Sequence, residues 1–319
     1  LQRNTLVDRF VGTASADVDL LGMVGIKSKN HGLHYNVNLS YSKTEAKDKT
    51  WIPSWIQSNR VYLAKENERL TKGSRNYSDA LVENTITYDG KIGKHNINLL
   101  AGMTYEEENT NLLTGWGINF TEPYFLQLQN AKNTYSESYE FKHSLASYVG
   151  RLNYNYDEKY LFEFNIRHDG TSKFRRNNMW KTFPSFSLGW NIAHENFWKP
   201  LENTVNTLKL RASYGSLGNQ NIDNWYQTYS TVDYKSVSGT WLQGGKKTNI
   251  TAAPGLVSAA LGWEKVESYD VGLDWGAFNN RLTGSFDYYV RNTKDMVGPA
   301  PELPALLGTA VPKTNNTDL

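Results

Sequence analysis

Cysteine is absent from the 319 residues. Within this stretch that excludes a disulfide framework, a thiolate metal site, a cysteine nucleophile and lipid attachment through cysteine. No run of about 20 apolar residues occurs, so the chain encodes no transmembrane helix. Neither sign of charge prevails: 34 Lys and Arg stand against 32 Asp and Glu, in no long block of one sign. Nothing therefore points to a nucleic acid or another polyanion as partner. The opening LQRNTLVDRF lacks the basic start, apolar centre and small-residue cleavage site of a secretory leader. The expectation is either a protein exported by another route or an internal piece of a longer one.

What the chain does contain is aromatic. Hydrophobic residues make up 39% and the mean hydropathy is −0.60, yet Phe, Trp and Tyr reach 13%, with 20 Tyr and 10 Trp. Rings with one apolar and one wet end suit membrane interfaces and sugar-binding surfaces. Composition alone would also fit a Tyr-rich soluble β-sandwich.

Periodicity separates these readings. Tyr148, Leu152, Tyr154 and Tyr156 share one face of an extended segment with Gly150, while Val149, Arg151, Asn153 and Asn155 take the other. After a turn at Asp157 to Lys159 the alternation resumes, with Tyr160, Phe162, Phe164 and Ile166 opposing Leu161, Glu163, Asn165 and Arg167. This pattern predicts a hairpin with one apolar and one polar face. The same spacing recurs in Tyr35 to Tyr41, Ile97 to Tyr105, Phe186 to Ile192, Leu208 to Tyr214, Tyr269 to Trp275 and Leu282 to Val290. Helical spacing is nowhere comparable.

The connections alternate too. Short turns are expected near Lys29 to Gly32, Lys91 to Lys94, Asp157 to Lys159 and Phe278 to Asn280, with a middling link from Glu195 to Val205. Between them lie long polar segments, roughly 46–79, 109–143, 170–183 and 217–262, and a tail follows Thr293. Strands of about ten residues with short turns at one end and long loops at the other describe an outer-membrane β-barrel. Lipid makes the requirement strict, because every backbone N–H and C=O in hydrocarbon must be paired and only a helix or a closed barrel achieves that. Tyr154, Tyr156, Tyr160 and Phe278, beside short turns, are placed for an interfacial girdle. The fold expected is all-β: a partial antiparallel transmembrane barrel of about ten strands. A sheet left open in lipid would expose two unpaired edges, so residues 1–319 are expected to be a fragment of the barrel domain.

Specific wording then adds to the pattern. RLNYNYDEKYLFEFNIRHDGTSKF (151–174), WKTFPSFSLGWNIAHENF (180–197), LKLRASYGSLGNQNI (208–222) and WEKVESYDVGLDWGAFNNRLTGSFDYYVRNTKDM (263–296) resemble, in order, the SusC/RagA family of TonB-dependent outer-membrane transporters. Thr171, Lys173 and the pair Arg175–Arg176 depart from the family's commoner wording in one loop. The resemblance implies a 22-stranded barrel holding an N-terminal plug, and active import of oligosaccharide or peptide with energy relayed by TonB. It also implies a SusD-like surface lipoprotein as lid, residence in the bacterial outer membrane, contact with its lipid, and no cofactor. The plug and the final strands are not part of this stretch. Substrate contacts, on that reading, come from the loops: Trp116, Tyr124 and Phe125 in one, Trp225, Tyr226 and Trp241 in another. Packing of the loops among themselves or against a lid is the competing role.

Catalytic alternatives are weak. His194–Glu195 begins like HExxH, but position 198 is Trp and the segment reads as a strand end. Ser216 in YGSLGN misses the G-x-S-x-G spacing and reads as a strand opening into a loop. Glu106, Glu107 and Glu108 read as a solvated strand end, and Asp169–Gly170 as a turn without the further acids of a calcium loop. No enzyme is expected.

Overall fold

The computed structural model describes residues 2–53, 57–58, 61–62, 68–122, 124–222, 225–230, 237–250, 255–298 and 311–319. Ten strands form one sheet: β1 (Gln2–Asp19), β2 (His31–Ile52), β3 (Arg69–Ile92), β4 (His95–Phe120), β5 (Ala131–Tyr156), β6 (Tyr160–Thr171), β7 (Trp180–Asn191), β8 (Val205–Asn219), β9 (Glu264–Ala277) and β10 (Leu282–Lys294). Each is bonded to its neighbours in sequence, a continuous meander from β1 to β10. Among the described residues no helix is long and apolar enough to cross a membrane.

The turns are built by residues that tolerate the left-handed region. Asp157 and Glu158 both have φ near +55°, at 53° and 56°, the primed geometry that matches strand twist. The Asn155 side chain accepts from the Glu158 N–H at 2.9 Å and fixes the turn. Phe278, Asn279 and Asn280 turn the β9–β10 hairpin with φ of 55°, 57° and 59°. These two turns fall where the sequence places them. The first does not: residues 20–30 join β1 to β2 and include a helical turn, Leu20–Met23, capped by Asp19, whose carboxylate accepts from the Gly22 N–H at 3.0 Å.

Three of the four long loops are shorter than expected and the strands beside them longer, while the connection 220–263 keeps its expected length. β2, β3, β4 and β5 hold 22, 24, 26 and 26 residues, well beyond the roughly 9–11 that cross a bilayer. The extra residues, such as Thr44 to Thr50 and Thr71 to Asp79, carry no apolar alternation yet remain within the strands. Likewise Asp169 and Gly170 are not a turn but paired strand residues opposite Lys181 and Trp180. Glu106 to Glu108 lie inside β4 rather than at its end, and Ser216 is buried within β8.

Register makes the two faces explicit. Phe164, Phe186, Tyr214, Tyr269 and Val290 form one cross-strand row, and Phe162, Leu188, Ala212, Val271 and Tyr288 the next. Tyr160, Trp190, Leu210, Leu273 and Phe286 form a third. On the other face run Asn165, Ser185, Gly215, Ser268 and Arg291, then Glu163, Ser187, Ser213, Asp270 and Tyr289. The apolar rows are not a core. Leu188 is 53% exposed, Val271 52% and Phe286 67%, whereas Phe174 and Leu70 are fully buried in or beside connections. A contiguous exposed apolar patch of this kind marks a surface that something else must cover.

The chain divides into two compact units. Residues 1–17, 36–84 and 104–145 make one, whose small core is Trp51, Leu70 and Phe120 with Leu126, Leu128 and Ala131 packed against it. Asn119, at φ 61°, breaks the alternation just before Phe120, and the Phe120 ring meets Trp51 edge-on at 5.2 Å. Residues 18–35, 85–103 and 146–319 make the other unit.

Candidate functional site

The apolar belt is bounded by rings with polar partners. Trp180 and Trp190 mark the two ends of β7, ten residues apart, the span a tilted strand needs to cross hydrocarbon. At one end Trp180 stacks on His168 at 5.0 Å and on Tyr148 at 5.9 Å. At the other, where the turns are short, Tyr156 stacks on Tyr160 at 6.3 Å. There too His95 Nδ1 lies 2.8 Å from the Tyr154 hydroxyl, and His31 Nδ1 2.8 Å from that of Tyr88.

Glu195 organises this end. Its carboxylate accepts from the Tyr160 hydroxyl at 2.6 Å, the Lys159 ammonium at 3.2 Å and the Trp190 indole at 3.3 Å. It thus ties β6, β7 and the following 3-10 turns together, and is a girdle anchor rather than a zinc-site residue. The Tyr160 hydrogen bond first, then Lys159, hold its carboxyl below the ordinary carboxylate range. Because the folded-state value is lowered, the stabilisation is complete above about pH 5 and is lost as pH falls through the lowered value. The thermal stability gap between wild type and Glu195→Gln, measured in detergent, is therefore expected to be open at neutral pH and to close as the solution is acidified below the ordinary carboxylate range. A gap unchanged across that range would remove Glu195 from this role.

The opposite face is polar and pairs its own charges. Arg211 holds Asp274 through two hydrogen bonds, at 2.8 and 3.0 Å, and Asp287 at 2.9 Å, lacing β8 to β10. A cavity of about 1190 Å³ opens on this face, lined by residues including Asp19, Asp89, Asn98, Glu163, Lys209 and Arg211. Its chemistry is that of hydrogen bonding to a polar surface. Among the described residues no three His, Asp or Glu are placed to hold a metal ion. In the other unit Glu108 accepts from Tyr77 at 3.3 Å and faces His143 at 3.6 Å, while Glu107 pairs with Lys142 at 2.7 Å. The acidic triplet is thus split between neighbours rather than gathered.

The connections at the Trp180 end pack around three rings. Trp263 meets Phe174 at 5.8 Å and Phe183 at 5.5 Å, both edge-on, and its indole donates to the Met179 carbonyl at 2.9 Å. The Arg175 guanidinium donates to the Thr228 carbonyl at 2.8 Å, and the Thr228 hydroxyl to that of Lys173 at 3.1 Å. The Asn315 side-chain amide accepts from the Gly262 N–H at 2.8 Å and donates to the Gly262 carbonyl at 3.0 Å. Four stretches remote in sequence (172–179, 225–230, 255–263 and 311–319) are joined in this way.

A strand meander with an exposed apolar belt, ring-bounded at both ends, has a match among known proteins. The model of the TonB dependent receptor-like, beta-barrel family fits residues 3–318. The chain belongs to that family. It is 38% identical over 239 residues to TonB-dependent receptor P3 of Formosa agariphila, covering 74% of this chain and 23% of that protein. It is 31% identical over 289 residues to TonB-dependent receptor SusC of Bacteroides thetaiotaomicron, covering 88% and 27%. The structure of the RagAB peptide transporter matches 99% of the chain and 33% of its own with a TM-score of 0.76 at 22% identity. The chain therefore spans about a quarter of the length of these curated relatives. They are receptors and not enzymes, as the sequence leads one to expect.

Within this receptor barrel the six residues named from sequence fall unevenly. Trp116 is not in a loop but near the end of β4, half-buried, stacked on Tyr135 at 5.6 Å with the Arg69 guanidinium 5.0 Å from its ring. Tyr124 and Phe125 adjoin one another in the short link 121–130 and are 87% and 66% exposed. Trp225 and Tyr226 are half-buried in a turn, Tyr226 edge-on to Tyr229 at 6.4 Å. Trp241 lies on the strand Val237–Gln243, which pairs with Lys246–Ile250, and its side chain is outside the described residues. Sequence reasoning missed the Phe174–Phe183–Trp263 cluster, although Phe174 closes the diagnostic phrase DGTSKF and Trp263 opens another.

Proposed function

We propose that this chain is a portion of the barrel domain of an outer-membrane receptor that imports large nutrients, oligosaccharide or peptide, with energy relayed by TonB. In this reading the chain supplies wall and extracellular loops, and a plug precedes it. The apolar belt meets outer-membrane lipid, the Arg211 face looks onto the lumen, and a SusD-like lipoprotein lids the loops. The observation that carries the proposal is the family match over residues 3–318 combined with an exposed belt as tall as a bilayer. The resemblance to the SusC/RagA family, and the fold shared with a protein described as a peptide transporter, are what support a ligand of this class. The test is to isolate the native protein from outer-membrane vesicles and determine its intact mass and companions in mild detergent. A chain three to four times as long with a bound surface lipoprotein is expected; a short chain from the soluble fraction would overturn the proposal.

Ligand contact by the aromatic loops has its own test. In the full receptor, Trp225→Ala with Trp241→Ala is expected to weaken ligand binding by roughly tenfold or more, as when stacked rings are lost from a sugar or peptide site at about 1–2 kcal/mol. Unchanged affinity in isothermal titration would strike both from the site.

A further inference from the structure

We infer that the outward face of β7 to β10 carries a binding site for a phosphate-bearing glycolipid of the outer leaflet, with a groove for an acyl chain and a lysine pair for the phosphate. The inference rests on the membrane reading above. A groove of about 500 Å³ runs down this face, walled by Phe186, Leu188, Tyr214, Tyr269 and Val271, with Ala212 as its floor. It exists because Ala212 sits in register between Leu188 and Val271, one methyl where its neighbours on both strands carry branched chains. Its lining is almost wholly apolar, and its volume is within the roughly 300–1,000 Å³ of small-molecule sites.

The groove ends against a charged cluster. The Tyr214 hydroxyl donates to Glu267 at 3.2 Å, and Glu267 also takes the ammonium of Lys265 at 2.5 Å and of Lys294 at 2.8 Å. Lys265 and Lys294 are direct cross-strand partners, a pairing that two like charges disfavour. Glu267 is almost buried between them, at 7% side-chain exposure, while Lys294 remains 49% exposed. One carboxylate offsets one ammonium, so the trio keeps a positive charge at the margin of the belt; Lys294 also feels Asp318, more weakly than Glu267. β9 begins at Glu264 and β10 ends at Lys294, where both pass into long connections. The cluster is therefore at the extracellular end, at headgroup depth, where lysines reach anionic groups. An acyl chain in the groove and a phosphate at Lys265 and Lys294 would satisfy both features at once.

The experiment is native mass spectrometry of the full-length receptor in mild detergent, titrated with a lipid A-type glycolipid carrying a phosphate, its dephosphorylated counterpart, and phosphatidylglycerol. Retention of the phosphorylated glycolipid at least fivefold above the other two is expected. That preference should vanish in the Lys265→Gln/Lys294→Gln variant and survive in the control Lys199→Gln. Ala212→Phe, which fills the groove and leaves both lysines in place, is expected to reduce retention of both glycolipids. Equal retention by wild type and both variants would overturn the site, as would equal retention of phosphatidylglycerol. A receptor that is recovered from the outer membrane with the heat-dependent gel shift of a folded barrel but keeps no lipid sinks this inference alone. A receptor absent from that membrane sinks the proposed function instead.

Discussion

Replacing Trp263 with alanine is expected to open the connections at the Trp180 end while leaving the sheet assembled. Trp263 is 5% exposed, and it is the ring on which Phe174 and Phe183 both rest. Large-to-small changes at such sites cost about 3–5 kcal/mol, and the lost indole bond to Met179 adds about 1 kcal/mol. Few other buried apolar residues support this layer; Leu261 is the nearest in sequence. The penalty is therefore expected to be spent locally, on segments 172–179 and 255–263, rather than on the whole barrel. A protease applied outside intact cells should cut the variant in these segments and spare wild type, while both retain the gel shift of a folded barrel. Protection equal to wild type would show that the loops are held by something other than these rings. Phe174→Ala should act in the same direction.

The second large effect concerns the belt. Val271→Arg is expected to destabilise the full receptor in bilayers by about 2–4 kcal/mol, the cost of a cationic side chain facing hydrocarbon. Ser213→Arg, on the neighbouring strand but on the opposite face, should cost far less. Val271 is already half exposed, so a sheet surrounded by water would tolerate the change within about 0.5 kcal/mol. Denaturant unfolding of refolded protein in lipid vesicles reads the difference directly, and equal stability of the two variants would mean that this face does not meet lipid.

Sequence alone was enough for the sheet because a pleated sheet with one apolar face imposes a strict rule on alternate residues. Phe162, Phe164 and Ile166 opposing Glu163, Asn165 and Arg167 could hardly be another element, and the meander follows from hairpin after hairpin. It was not enough for the strand ends. Beyond the belt, residues such as Lys72 and Arg75 continue the ladder without an apolar alternation, so the side-chain pattern does not mark where the strand ends. Nor was the loop cluster visible, since Phe174 and Trp263 are single rings in polar surroundings, nearly ninety positions apart, and only folding joins them. Trp116 was placed in a loop for the same reason: the strand that carries it runs far past the apolar rows. The Lys265–Glu267–Lys294 trio reads in sequence as scattered charge; register alone sets the two lysines opposite each other.

The period-two belt has a consequence for how such a chain travels. Its apolar residues are interleaved one by one with Asn, Ser, Arg and Glu, and the mean hydropathy is negative. Sorting machinery that responds to a continuous greasy segment, as helix insertion does, finds nothing to hold. The extended chain is water-compatible, and it acquires an affinity for lipid only once pleating moves every second side chain to the same side.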